Sequence, residues 1–160
     1  MITLTTPDGN PVNIDGSRVI RIRASIPDES TPPSQTRIDW VNLQFVLESA
    51  ASVAQQVGPE NQHLAKLALP NGAPVWFDAK QAVGPIRIFP DEMHEGTRSG
   101  MLLANKKQFV SNTPEEVSAA IAAAGGSPLP IPATAGIMAS VSSFVAKMRN
   151  AISPQEVWDQ

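Results

Sequence analysis

The chain has 160 residues, of which 42% are apolar and 17% charged, with a formal net charge of -3. That is enough apolar material for a core, fewer charges than the roughly 25% of an average globular chain, and no basic excess of the kind that marks a nucleic-acid binder. The absence of Cys excludes disulfide frameworks, thiol catalysis and Cys-ligated zinc, while fifteen Pro and ten Gly announce many turns.

Met1 to Gly9 has neither a basic n-region nor an apolar h-region, so it does not read as a secretory signal. No stretch reaches the about 20 apolar residues of a membrane span. The expected location is the cytoplasm or a virion. Ile2 and Leu4 alternate with Thr3 and Thr5, which predicts a strand with one buried face. Pro7-Asp8-Gly9 is a hairpin signal, because Asx-Gly tolerates the positive φ of a type I′ turn. Val12 and Ile14 return on the buried face. Asp15 closes that strand before a turn, where an Asx side chain bonds the local backbone. Ile20, Ile22, Ala24 and Ile26 alternate with Arg21, Arg23 and Ser25 in a third strand. After a Pro- and Ser-rich loop, residues 36–47 read as two strands or one long bent one. Ser49 caps a helix bearing Val53 and Val57, which Gly58-Pro59 ends.

The pattern then recurs. Leu4 to Asp15 and Leu67 to Asp78 match at a constant offset of 63, with six of twelve positions identical. The same offset carries Ile26-Pro27-Asp28-Glu29 onto Phe89-Pro90-Asp91-Glu92. Small gaps align Thr36-Arg37 with Thr97-Arg98 and Phe45-Val46 with Phe109-Val110. The expectation is an internal duplication, with Gly9 and Gly72 in equivalent positive-φ turns. Strands of the second copy fall near Lys66–Leu69, Pro74–Asp78, Val83–Phe89, Arg98–Leu103 and Gln108–Ser111. Thr113-Pro114-Glu115-Glu116 is a capping box with Pro at the first helical position. The helix it opens carries Val117 and Ile121 and stops at Gly125-Gly126.

Residues 126–136 form a Pro-rich linker of extended type. An amphipathic helix follows. Ile137, Val141, Phe144, Val145, Met148 and Ile152 fall on one arc of a helical wheel, with polar residues outside it. Ser153-Pro154-Gln155-Glu156 reads as a further capping box, predicting a short last helix with Val157 and Trp158.

Candidate chemistry is sparse. Asp91, Glu92, His94 and Glu95 are dense enough to suggest a divalent metal. Their ligand spacing fits no zinc or EF-hand pattern, so they read as a solvated loop and no metal is expected. Asp15 and Asp78 read as local turn residues rather than a catalytic pair. No nucleophile elbow, P-loop or dinucleotide fingerprint occurs, so neither a catalytic residue nor a cofactor is expected. Arg18, Arg21, Arg23 and Arg37 are the cations of the first sixty residues. They form either a phosphate-contacting patch or a solvated sheet face balanced by Asp39 and Glu48. Trp76 lies between Val75 and Phe77; it is a contact between units, a partner anchor, or a side chain turned inward by a bulge.

Asn105 to Val117, a basic-aromatic strand running into a Thr-Pro-Glu-Glu-Val helix start, resembles small flagellar accessory proteins of the FlbD (SwrD) type, and Leu67 to Asp78 is similar to their first hairpin. That resemblance implies a non-enzymatic accessory of motility. The duplicated β-modules with a tail also look like phage accessory or decoration proteins.

Together these readings predict a β-rich α+β fold. Two tandem strand-rich units, residues 1–58 and 61–125, are each closed by a helix, and a linker (126–136) and a docking helix (137–160) follow. The expected function is non-catalytic: assembly with other proteins, or with further copies, in a large bacterial or phage structure. The contacts would be Trp76, Trp158 and the stripe from Ile137 to Ile152. The alternative is a nucleic-acid-binding regulator using Arg18, Arg21, Arg23 and Arg37.

Overall fold

The computed structural model describes residues 1–132 and 157–158. Within them the chain is β-rich α+β. The elements run β1 (Ile2–Thr5), β2 (Pro11–Ile14), β3 (Arg21–Ala24), β4 (Thr36–Asp39), β5 (Leu43–Val46), α1 (Ala50–Val57), β6 (Leu64–Ala68), β7 (Pro74–Asp78), β8 (Ala82–Ile86), β9 (Ser99–Leu103), β10 (Lys106–Val110) and α2 (Pro114–Ala123). The order hairpin, three-stranded meander, helix thus occurs twice. β3 pairs antiparallel with β7, setting Ile22 opposite Trp76. The first meander and the second hairpin thereby merge into one five-stranded sheet, β5-β4-β3-β7-β6, leaving β1-β2 and β10-β9-β8 as smaller sheets.

The same hydrogen bonds hold both halves. Gly9 N–H donates to Thr6 O and Gly72 N–H to Leu69 O. Leu47 N–H donates to Thr5 O and Ser111 N–H to Ala68 O. The hydroxyls of Thr36 and Ser99 donate to the carbonyls of Glu48 and Asn112, just before the two helix caps. The side-chain amides of Gln44 and Gln108 donate to the carbonyls of Phe45 and Phe109. Equivalent groups are 63 residues apart as far as Thr36 and Ser99, and 64 apart from Gln44 and Gln108 onward. The extra residue therefore lies between Ser99 and Gln108, where the β9–β10 hairpin runs one pair further than β4–β5 before a shorter, two-residue turn. This register matches Thr36 with Ser99, two positions beyond the Thr97 that sequence comparison selects.

Turn chemistry differs in one respect from expectation. Gly9 and Gly72 do have equivalent positive φ, +87° and +89°, but Asp8 and Asn71 are not left-handed. These are three-residue connections in which the left-handed Gly forms a bulge, not type I′ turns. Two consecutive left-handed residues occur instead at Ala104 and Asn105, between β9 and β10. The loop after β8 folds back on the second hairpin at Gly96 (φ +85°), where a Cβ would lie 2.1 Å from the Pro70 carbonyl oxygen.

Both helices start as their caps require. Ser49 accepts from Ser52 N–H, and Thr113 and Glu116 form a reciprocal capping box with Pro114 at the first position. Their apolar faces close two separate cores. One gathers Leu4, Ile14, Ile22, Ile38, Val53 and Val57. The other gathers Leu67, Phe77, Met101, Leu103, Val117 and Ile121, together with Trp158. β8 is a blunted edge. Its Gly84 and Pro85 stand 63 residues after Arg21 and Ile22; Pro85 has no N–H to offer, and Leu129 N–H already bonds the Gly84 carbonyl. Val157 departs from expectation: it forms a parallel bridge with Lys107, so the chain is extended there rather than helical. The stripe from Ile137 to Ile152 lies outside the described residues.

Candidate interaction site at the junction of the units

β3 is the central strand of its sheet, and both its faces are covered. Ile22 points into the first core. Arg21 and Arg23, expected on a solvated face, are fully buried. Burial of a guanidinium demands partners, because an uncompensated charge away from water is costly. Arg21 donates from Nε to Asp39 Oδ2 at 2.9 Å and from Nη1 to Gln108 Oε1 at 2.7 Å. Arg23 holds Glu29 with both Nη atoms, at 2.9 and 2.5 Å, and also bonds the Ala24 carbonyl. Arg37 bridges the two acids, reaching Asp39 at 3.0 Å and Glu29 at 3.2 Å. Two carboxylates thus face three guanidiniums.

The cluster is electrostatically locked. Burial pushes the Arg21 guanidinium down to about 10, against the pull of Asp39. Burial works to raise Glu29, but hydrogen bonds from Arg23 and the Ile26 amide, with the charge of Arg23, hold it at about 2. Both groups are ionised at neutral pH. The arrangement fixes geometry and carries no proton to transfer.

Trp158 completes it. The Arg21 guanidinium carbon lies 4.2 Å from the centroid of the indole and Lys106 Nζ lies 4.5 Å away. A ring face attracts cations, and more strongly where water is excluded. Trp158 Nε1–H donates to Leu103 O at 2.9 Å and its backbone N–H to Lys107 O at 2.8 Å. Residues 157–158 therefore form a single parallel bridge on the outer edge of β10, and the indole covers the junction where β3 of one unit meets β10 of the other. Trp158, expected among the partner contacts, packs here against its own chain.

The remaining candidates fall elsewhere. Trp76 contacts the other unit: it sits opposite Ile22, packs against the first core and carries Lys66 Nζ 5.5 Å from its ring centroid. Arg18 is exposed on a turn away from the cluster, and Arg37 is mostly buried within it. The four arginines therefore do not form one solvent-facing patch, because the second unit covers the face that alternation alone leaves open. Asp15 accepts from Ser17 and Asp78 from Lys80 N–H, as local turn residues do, and Asp78 also accepts from the buried Asn61 amide seventeen positions earlier. Glu92 pairs with Lys107 at 2.6 Å. Among the described residues no cluster of three or more His, Cys, Asp and Glu is placed to hold a metal ion, and no helix is long and apolar enough to cross a membrane. Sequence reasoning missed Glu29, Gln108 and Lys106. The repeated Pro-Asp-Glu was the available signal for the first, since Glu29 and Glu92 both turn back to bond the amide three residues earlier. Comparison with known protein families, curated proteins and solved structures finds no match for the chain.

Proposed function

We propose that this chain is a non-catalytic assembly protein. It arose by duplication of one hairpin–meander–helix module and works by binding other proteins in a large bacterial or phage structure such as a flagellum or a virion. The observation that carries this reading is the parallel bridge at Val157–Trp158. A segment that bonds to a sheet edge and anchors there with an aromatic is a mode by which proteins join. The buried cluster supports the same reading, because its ionised groups are spent on each other and none is poised for chemistry.

The stripe of Ile137, Val141, Phe144, Val145, Met148 and Ile152 supplies the partner contact. An isolated helix of that length is marginal in water unless its apolar face packs. The resemblance to flagellar accessory proteins and to phage decoration proteins favours particles over regulators. The test is to tag the chain in its source cell and purify flagellar basal bodies and phage particles. Recovery of the wild type in one of them at fixed stoichiometry, with loss on Phe144→Asp, supports the reading. Absence from both, with normal assembly when the gene is deleted, overturns it.

A further inference from the structure

We propose that the outer edge of β5 is a homodimer seam, at which two copies pair β5 to β5, antiparallel, about a two-fold axis through Gln44. The residues of this surface do not belong to the C-terminal arm, so it stands or falls apart from the assembly reading.

Among the described residues the edge is open over Leu43–Phe45, up to Leu47, whose outward N–H already donates to Thr5 O. The Asp39 carbonyl accepts from Ile20 N–H, on the β3 side. Leu43, opposite Asp39, must therefore turn its own N–H and C=O outward, away from β4. Phe45 shares that outward phase, and its carbonyl is already held by the Gln44 side-chain amide. The equivalent edge in the second unit shows what this geometry accepts. There Lys107 stands where Leu43 stands, and its outward carbonyl takes the Trp158 N–H. A bridged segment thus satisfies this type of edge in this chain, and among the described residues β5 ends its sheet without one.

The two edges differ in charge, and that selects the occupant. β10 carries Lys106 and Lys107, and the tail sequence there, Glu156-Val157-Trp158-Asp159, is acidic. β5 reads Leu43-Gln44-Phe45-Val46, without charge or Pro, and exposes Leu43 by 48% and the neighbouring Val41 by 50%. Other edges carry the devices that discourage pairing: Pro85 and Leu129 on β8, Pro11 on β2, Lys66 on β6. A second β5 is the complementary partner. About a dyad at Gln44, each Phe45 N–H faces the Leu43 carbonyl of the other copy, Leu43 lies opposite Phe45, and no like charges meet. Five strands become a continuous ten.

The test uses the full chain. Sedimentation over about 1 μM to 1 mM should show the mass doubling. Leu43→Lys, at an exposed position, should raise the dimer dissociation constant at least about tenfold with the melting temperature measured at low concentration unchanged. Gln44→Cys gives a second readout in a chain without Cys. Cα atoms facing each other across a non-hydrogen-bonded antiparallel pair are about 4.5 Å apart, within disulfide reach. It should cross-link far faster than an exposed control, Gln81→Cys. A wild type that stays monomeric overturns the proposal, as does a Gln44→Cys that cross-links no faster than the control. A dimer lost in Phe144→Asp and kept in Leu43→Lys assigns self-association to the arm and also overturns it.

Discussion

Arg21 occupies the middle of a sheet, where an aliphatic residue is the usual choice, because its Nε and Nη1 meet fixed acceptors and its flat face meets an indole. Its charge is held by Asp39, and its neighbour Arg23 by Glu29. This gives an acid dependence with a definite sign. Glu29 sits at about 2 in the folded chain against an ordinary 4.5. A depressed carboxylate contributes stability that is complete above the unfolded value and lost as pH falls towards the folded one. Stability should therefore decline between about pH 4.5 and pH 2, and Glu29→Gln should flatten that limb in urea melts taken across the range. If the limb is unchanged, the Arg23–Glu29 pair is not what protects the fold from acid. The glycines divide by a similar argument. Gly72 has left-handed backbone but open space around it, so Gly72→Ala should cost about 1 kcal/mol through strain alone. Gly96 adds the Pro70 carbonyl 2.1 Å from any Cβ. Gly96→Ala should cost clearly more than Gly72→Ala in the same denaturant series; equal losses would mean that the loop simply moves away.

At the scale of elements, what was legible followed from local chemistry. Ser49 and Thr113 capped the helices where their side chains dictated, and β7 runs over Pro74–Asp78 as its alternation and flanking turns require. β3 shows where local reading stops. Alternation of Ile with Arg is the signature of a half-exposed strand, and nothing within residues 20–26 signals that β10, over eighty positions later, covers the arginine face. Val157 and Trp158 show the converse. A Ser-Pro-x-Glu start favours a helix, yet the free edge of β10 and the cations beneath the indole hold the segment extended. The weight of that bridged segment is measurable. Trp158→Ala should cost about 3–5 kcal/mol, as for a large buried aromatic. Trp158→Phe should cost nearer 1 kcal/mol, because it keeps the ring over Arg21 and loses only the bond to Leu103 O. Similar losses for the two variants would mean that stacking contributes little.

At the scale of the whole molecule, the recurrence at an offset of 63 raises the expectation of two units but carries no signal of how the first meander and the second hairpin join. Boundaries at 58 and 61 suggest units that fold separately. The pairing of β3 with β7 and the bond from Arg21 to Gln108 make each half part of the other's surface. Residues 1–60 expressed alone should lack a cooperative melting transition, since β3 would lose β7 and Arg21 its contacts with Gln108 and Trp158; a sharp transition would show that the shared sheet is dispensable. Of the candidate site, the sequence flagged Trp158 and the arginines as unusual and misplaced the arginines, because their location is set by the other half. The join also has a direction. A first module offers β3 to the hairpin that follows, and the last module, built the same way, offers Gly84 and Pro85 at that position, with Leu129 laid across them. Gly84, Pro85 and the Leu129 strap thus leave the edge of β8 unable to take a hairpin as β3 takes β7.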